Sequence, residues 1–162
     1  MIIVSNTGPL IGLAKLRQLG LLSRLATSIY IPPQVQAELL AKSGPESPLL
    51  ASSLKEVIQV QAPAMLDAAA ESVLKRLDEG EKQAIALSRS LPPPVLLLLD
   101  DRVGRSAARK LGQPFTGLVG LLLLAKRQGF IPSVTPLLAT LRSAGYWVSD
   151  EVVSTAQKLA GE

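Results

Sequence analysis

The run Val95–Leu99 is the feature that most limits how this chain can fold, because it is apolar on both faces if it is extended. Three prolines, Pro92–Pro94, precede it and force an extended entry, and two aspartates, Asp100 and Asp101, follow it. A strand with two apolar faces is typical of the interior of a parallel sheet, where both faces are covered. Parallel strands need long crossover connections, which are usually helices. The run therefore predicts an α/β fold.

The rest of the chain alternates between short apolar runs and helical patterns. The segments that predict strands are Ile2–Ser5, Ser28–Ile31, Glu56–Val60, Val95–Leu99 and Phe115–Thr116. Helical periodicity fills most of the sequence between them, whereas Lys42–Ser53, which is rich in Gly, Pro and Ser, predicts a loop or hinge. We therefore expect one domain over residues 1–162, with a mostly parallel sheet covered by helices on both faces.

Cysteine and histidine are both absent, which excludes many kinds of active site. Without Cys there is no disulfide, thiolate nucleophile, iron–sulfur cluster or zinc finger. Without His there is no Ser-His-Asp triad, no two-histidine ribonuclease mechanism and no usual catalytic zinc site. Any catalysis by this chain must use carboxylates, Lys, Ser, Thr, Tyr or a bound cofactor.

The charge and hydropathy of the chain suggest its partners and surroundings. A formal net charge of +4 and a pI of about 9.6 suit a nucleic-acid partner without requiring one. No signal peptide is recognisable, and the apolar runs are too short to cross a bilayer, so we expect a cytoplasmic protein with no membrane partner. The mean hydropathy of +0.32 predicts that some apolar surface is buried in an oligomer interface.

Polar residues that directly follow strands are the first candidates for chemistry, because doubly wound sheets bind ligands beyond the carboxyl ends of their strands. Asn6 and Thr7 follow the first predicted strand, and Asp100 and Asp101 follow the doubly apolar one. Two adjacent carboxylates at that place need a solvated mouth, a basic partner or a metal ion. Mg²⁺ or Mn²⁺, bound by oxygen atoms alone, suits a chain that has no His and no Cys.

Two further carboxylates, Glu38 and Glu81, lie on predicted helices where they could contribute to a metal pocket. Simple structural roles are also open for these residues. Glu38 could lie on a solvated helix face, and Glu81, three residues after Asp78, could belong to a capping arrangement at a helix N-terminus. Asn6 and Asp101 could likewise serve only as helix caps.

Several segments, in this order along the chain, resemble the PIN domain, the nuclease fold of VapC-type toxins and their relatives. They are Ile2–Thr7, Ile31–Glu38, Gly80–Leu87, Leu98–Arg102 and Thr116–Gly120. The last of them, together with Gly129–Ile131, is similar to one uncharacterised branch of that superfamily. The resemblance covers nearly the whole chain and implies a PIN-like three-layer α/β/α fold with a mostly parallel central sheet.

The resemblance implies a metal-dependent endoribonuclease that hydrolyses phosphodiesters of single-stranded or structured RNA. In PIN domains a cluster of acids binds one or two Mg²⁺ or Mn²⁺ ions and activates water. The residues that match this cluster are Asn6, Glu38, Glu81 and Asp101, with Asp100 beside them. The family further implies the toxin of a toxin–antitoxin pair, in which a small antitoxin protein blocks the site, and a homodimer.

The arginines that follow the aspartate pair are candidates for RNA binding. Arg102, Arg105 and Arg109 recur at three- and four-residue steps, so they share one helix face and could bind phosphates. The simpler interpretation is a solvated helix face. Thr7, next to Asn6, is predicted to contact RNA or to orient a water molecule at the metal. Tyr146 and Trp147 are expected to pack against the protein rather than to stack on bases.

Asn6 departs from the PIN pattern, in which an Asp normally occupies this position. An asparagine offers a carbonyl oxygen to a metal ion but brings no negative charge, and the loss of one charge weakens the binding of a divalent cation. Two functions therefore stay open from the sequence. The chain is either an active ribonuclease or a catalytically silent PIN-fold interaction module that keeps only the fold.

Overall fold

The computed structural model describes residues 1–162, and a five-stranded sheet forms its centre. The strands are β1 (Ile2–Ser5), β2 (Ser28–Ile31), β3 (Ile58–Val60), β4 (Val95–Leu98) and β5 (Phe115–Thr116). Their order across the sheet is β3-β2-β1-β4-β5, and every neighbouring pair is parallel. The structure therefore confirms the predicted α/β fold with a parallel sheet.

Ten helices flank the sheet and form the outer two layers of a three-layer arrangement. They are α1 (Thr7–Lys15), α2 (Gly20–Leu25), α3 (Pro33–Ala41), α4 (Ser47–Glu56), α5 (Ala68–Leu74), α6 (Glu79–Ser90), α7 (Arg102–Lys110), α8 (Leu118–Arg127), α9 (Thr135–Ser143) and α10 (Asp150–Ala160). None of these helices has the length and apolar character needed to cross a bilayer.

Alternate residues of the strands supply two separate hydrophobic cores, one on each face of the sheet. Ile3 and Leu98 belong to the larger core, which α1–α4 and α8–α10 complete. Val4, Leu97 and Leu99 belong to the smaller core, which they share with α5, α6 and α7. All five of these side chains are fully buried. The two-sided burial at the end of β4 explains why Val95–Leu99 is apolar at every position.

The strand order places a topological switch point between β1 and β4. The chain leaves β1 towards β2 and β3, then crosses back to add β4 and β5 on the other side of β1. Ser5 pairs with Leu98 at the carboxyl ends of the two strands, and the backbone N–H of Asn6 donates to Leu98 O at 3.0 Å. The residues that follow β1 and β4 therefore lie side by side, at the usual ligand-binding edge of such a sheet.

One sequence-based prediction of local structure is wrong. Lys42–Ser53 is not a loop throughout, because α4 begins within it at Ser47, and the third strand is shortened to β3. Pro48 lies in the first turn of α4, where a proline needs no helical hydrogen-bond partner and favours the start of a helix. Leu50, which is 1% exposed, anchors α4 in the larger core. Composition alone cannot show that tertiary contact.

Candidate active site

Asn6 links β1 to α1 and has an extended backbone at the N-cap position of α1. Its side chain makes no capping hydrogen bond, so the helix-cap interpretation of this residue does not describe the structure. Its Oδ1 atom is buried and has no hydrogen-bond partner. A buried polar atom without a partner carries a desolvation cost, so this oxygen is the kind of atom that an absent ligand would satisfy.

Glu38 on α3 faces the first turns of α1 and α6. Its Oε2 accepts a hydrogen bond from the hydroxyl of Thr7, and its Oε1 accepts one from Gln34 Nε2 at 3.4 Å. On the α6 side, a Cβ added to Gly80 would lie 2.6 Å from Glu38 Oε1, so a larger residue at this position would displace the carboxylate of Glu38. Glu38 is therefore a positioned carboxylate between two helices, and the spacing of Gln34 and Glu38 on one helix face is the sequence signal for their contact.

Glu81 is the most perturbed carboxylate of the group. It lies in the first turn of α6, where its backbone N–H donates to the capping Asp78 Oδ1 at 2.8 Å. The residue is only 8% exposed. Burial, and then the negative charges of Asp78, Asp101 and Glu38, raise the pKa of its carboxyl from 4.5 to about 7. Glu81 therefore stands in an environment that lacks a compensating positive charge.

Asp101 begins α7 and is fixed by its own helix. Its Oδ2 accepts a hydrogen bond from the backbone N–H of Gly104 at 2.8 Å, as the cap interpretation predicts. One carboxylate oxygen therefore holds the helix N-terminus. The charge of Asp101 also acts on Glu81, so the capping role and a role in the acidic group are compatible.

Asp100 is directed into a different set of contacts from its neighbour. Its Oδ1 accepts from Arg105 Nη2 at 3.2 Å and from the backbone N–H of Leu118 at 3.0 Å, and its Oδ2 accepts from the hydroxyl of Tyr146. Burial and the carboxylate of Asp100 raise the pKa of Tyr146 well above its ordinary range. The hydroxyl therefore stays protonated and donates a hydrogen bond to Asp100. The two adjacent aspartates thus have different surroundings, and only Asp100 is paired with a basic side chain, that of Arg105. The contact with Tyr146 spans 46 positions and has no local sequence signal.

The three arginines of α7 differ in what they can do. Arg105 is committed to the protein, because its Nε donates to Leu99 O at 2.7 Å and its Nη2 contacts Asp100. Arg102 is exposed on the first turn. Arg109 is also exposed and places its guanidinium 5.4 Å from the ring centre of Phe115. Two of the three predicted RNA-binding arginines are therefore on the surface and one is structural.

The donor atoms of this region fit a hard divalent cation in chemistry, although no three acidic side chains lie close enough in the structure to hold one. The available atoms are the carboxylate oxygens of Glu38, Glu81 and Asp101 and the unpartnered amide oxygen of Asn6. An all-oxygen set of this kind is what Mg²⁺ and Mn²⁺ prefer. A metal site here would require the carboxylates to close up around the ion.

Comparison with known proteins identifies the family to which the chain belongs. A search of curated proteins found no significant match. A family model described as a PIN domain matches residues 2–162, which is nearly the whole sequence. The five-stranded parallel sheet and its two helical layers agree with that match. The chain therefore belongs to the PIN-domain family.

Proposed function

We propose that this protein is a ribonuclease that hydrolyses phosphodiester bonds with the help of Mg²⁺ or Mn²⁺. PIN domains are generally nucleases that use divalent metal ions. The observation that carries the proposal is electrostatic. The charges of Asp101 and Glu38 both act on the buried carboxyl of Glu81, and none of the three residues forms an ion pair with a basic side chain, whereas Asp100 does. Uncompensated carboxylates at a switch point favour a cation site over a purely structural role.

The residues have distinct parts in this proposal. Glu38, Glu81, Asp101 and Asn6 would hold the ion, which when bound supplies Lewis-acid activation of water and charge stabilisation on the phosphate. The hydroxyl of Thr7 orients Glu38 through its hydrogen bond. The exposed arginines of α7 are available for the phosphates on either side of the cut. Asp100 acts through Arg105 and Tyr146 as a positioning residue for the neighbouring backbone.

Cleavage of single-stranded RNA in the presence of Mn²⁺ or Mg²⁺, with EDTA as the metal-free reference, tests the proposal. Asp101→Asn and Glu81→Gln should each abolish metal-dependent cleavage. Asn is as good an N-cap as Asp, so Asp101→Asn removes the charge while it keeps the cap of α7. Asp67→Asn is the matched control, because Asp67 caps α5 in the same way at 2.7 Å and takes no part in the acidic group.

The rival function is a silent interaction module, and metal binding separates it from the ribonuclease. Calorimetric titration with Mn²⁺ should show binding to the wild type, tighter binding to Asn6→Asp, and weaker binding to Glu81→Gln. Absence of cleavage together with absence of Mn²⁺ binding in the wild type would contradict the ribonuclease and favour the silent module. Recovery of both in Asn6→Asp would identify the asparagine as the cause.

The toxin role, the antitoxin partner and the homodimer are finer proposals that rest on the family resemblance. An antitoxin that blocks the acidic site should inhibit cleavage in the wild type and should protect α6 and α7 from hydrogen exchange. Light scattering on the purified chain tests the homodimer independently of activity. A monomer at micromolar concentration would contradict that prediction without affecting the ribonuclease.

A further inference from the structure

A cavity of about 610 Å³ opens next to the acidic site, at the carboxyl ends of β4 and β5. Asp101 forms part of its wall and is the residue that the cavity shares with the group of carboxylates. The chain has only five aromatic residues, and three of them, Phe115, Tyr146 and Trp147, line this one cavity. Its volume lies in the range of small-molecule binding sites and accommodates a nucleobase.

Trp147 lies on the surface with 84% of its area exposed, which contradicts the expectation that it packs. The backbone around it is nevertheless fixed. On one side the hydroxyl of Tyr146 is bound to Asp100, and on the other side Val148 is buried and its carbonyl accepts from Arg142 Nε at 2.8 Å. The side chains on either side of Trp147 are thus held against the protein, while the indole itself lies in solvent. A large aromatic surface held in water on an anchored backbone is typical of a recognition element.

Cationic groups border the same cavity. Arg109 carries the unpaired charge, because it is exposed and its guanidinium lies over the ring of Phe115, whereas Arg105 lines the cavity but is paired with Asp100. Proteins bind single-stranded nucleic acids by combining aromatic faces, on which bases stack, with positive charges along the phosphate backbone. A pocket for an apolar peptide would not need arginines on its aromatic wall.

We propose that this cavity is a base-binding subsite, in which a nucleobase adjacent to the cleaved phosphodiester stacks on Trp147. The inference rests on the ribonuclease function proposed above, because the shared wall at Asp101 places the base next to the reacting phosphate. Stacking on an aromatic face is tolerant of base identity. The subsite would therefore add affinity for unpaired RNA and would disfavour duplexes, whose bases are not free to enter.

Intrinsic fluorescence tests the subsite directly, because Trp147 is the only tryptophan in the chain. The titration uses the Glu81→Gln variant in EDTA, so that no strand is cut during the measurement. A short single-stranded oligoribonucleotide should quench the fluorescence saturably. An abasic strand of equal length and charge is the matched control and should leave it nearly unchanged.

Replacement of the indole gives a second measurement. Trp147→Ala should weaken the binding of a fluorescently labelled oligoribonucleotide on the order of tenfold, and Trp147→Phe should recover most of the affinity, because a phenyl ring also stacks. Leu159→Ala, which removes another exposed apolar side chain, is the control on α10. In the cleavage assay Trp147→Ala should raise KM and leave kcat nearly unchanged. Its high exposure predicts an unchanged Tm.

The outcomes separate this inference from the ribonuclease itself. Quenching by the base-containing strand without any metal-dependent cleavage would support the subsite and contradict the ribonuclease. Cleavage with the same KM in Trp147→Ala and the wild type, together with no quenching, would overturn the subsite and leave the ribonuclease intact. Equal quenching by the abasic strand would overturn it as well. Saturable quenching by an acidic, apolar-rich peptide alone would assign the cavity to a protein partner instead.

Discussion

Replacement of Glu81 by glutamine should stabilise the protein in EDTA at high pH, although it should abolish metal-dependent cleavage. The ionised carboxylate of Glu81 is buried and lies among the negative charges of Asp78, Asp101 and Glu38. A glutamine of the same shape keeps the packing and removes the charge. A residue kept for chemistry rather than for stability has this property.

The sign and size of the effect follow from the raised pKa of Glu81. The pKa of Glu81 is higher in the folded protein than in the unfolded chain, so the folded protein holds a proton on Glu81 that the unfolded chain has lost. Stability therefore falls as the pH rises from 4.5 to about 7 and stays low above that pH. The full loss corresponds to about 3 kcal/mol, because each tenfold change in the ionisation constant is worth 1.4 kcal/mol. Asp78 and Asp101 are exposed, so water screens their charges and we expect about 1–2 kcal/mol in practice.

Urea denaturation at pH 4.5 and at pH 8, in EDTA, measures this difference. Glu81→Gln should unfold with nearly wild-type free energy at the lower pH and with a larger free energy than the wild type at the higher pH. Glu79→Gln removes an exposed charge from the same turn and separates net charge from burial. A constant difference between Glu81→Gln and the wild type at both pH values would refute the electrostatic reasoning. Saturating Mn²⁺ should reduce or reverse the difference.

The remaining predictions concern packing and caps elsewhere in the fold. Gly12→Ala should cost about 1–3 kcal/mol in urea denaturation, because its methyl would clash with Leu118, whereas Gly20→Ala, with open space around it, should cost little. Glu162→Gln should lower the Tm above pH 4.5, where the ionised side chain binds the first turn of α9. That difference should vanish as the pH falls, because the pKa of Glu162 is lowered by its hydrogen bonds. The methyl of Gly117→Ala would overlap the ion pair of Arg105 and Asp100. Because Asp100 also binds the hydroxyl of Tyr146, the change should reach the neighbouring tryptophan and alter its emission spectrum.

The parallel sheet could be predicted because its evidence is local. The apolar run Val95–Leu99 specifies a strand that is covered on both faces, and the structure buries its residues on two cores as that pattern requires. The helix α4 could not be predicted in the same way. Its composition is that of a loop, and its stability depends on a tertiary contact at Leu50, which no local pattern contains.

The contacts of the candidate site also differ in whether they depend on neighbouring or distant residues of the sequence. The cap of Asp101 and the capping of α6 by Asp78 are readable from spacing along the chain, and the structure contains both. The separation of Asp100 from Asp101 is only partly readable, because Arg105 lies five positions from Asp100 but Tyr146 lies far away in the sequence. Adjacent carboxylates look equivalent in a sequence. The fold gives one a basic partner and leaves the other beside Glu81.

Asn6 does not act as an ordinary helix cap. Its oxygen is buried without a partner, although an ordinary N-cap would use that atom to hold α1. An aspartate in its place would bring a further negative charge to the edge of the sheet where Asp101 follows β4. In the proposed ribonuclease the amide would keep an oxygen at the site but would attract a divalent ion less strongly than a carboxylate. Under the proposed function we therefore expect Asn6→Asp to bind a divalent ion more tightly than the wild type, and the asparagine alone does not decide between the ribonuclease and the silent module.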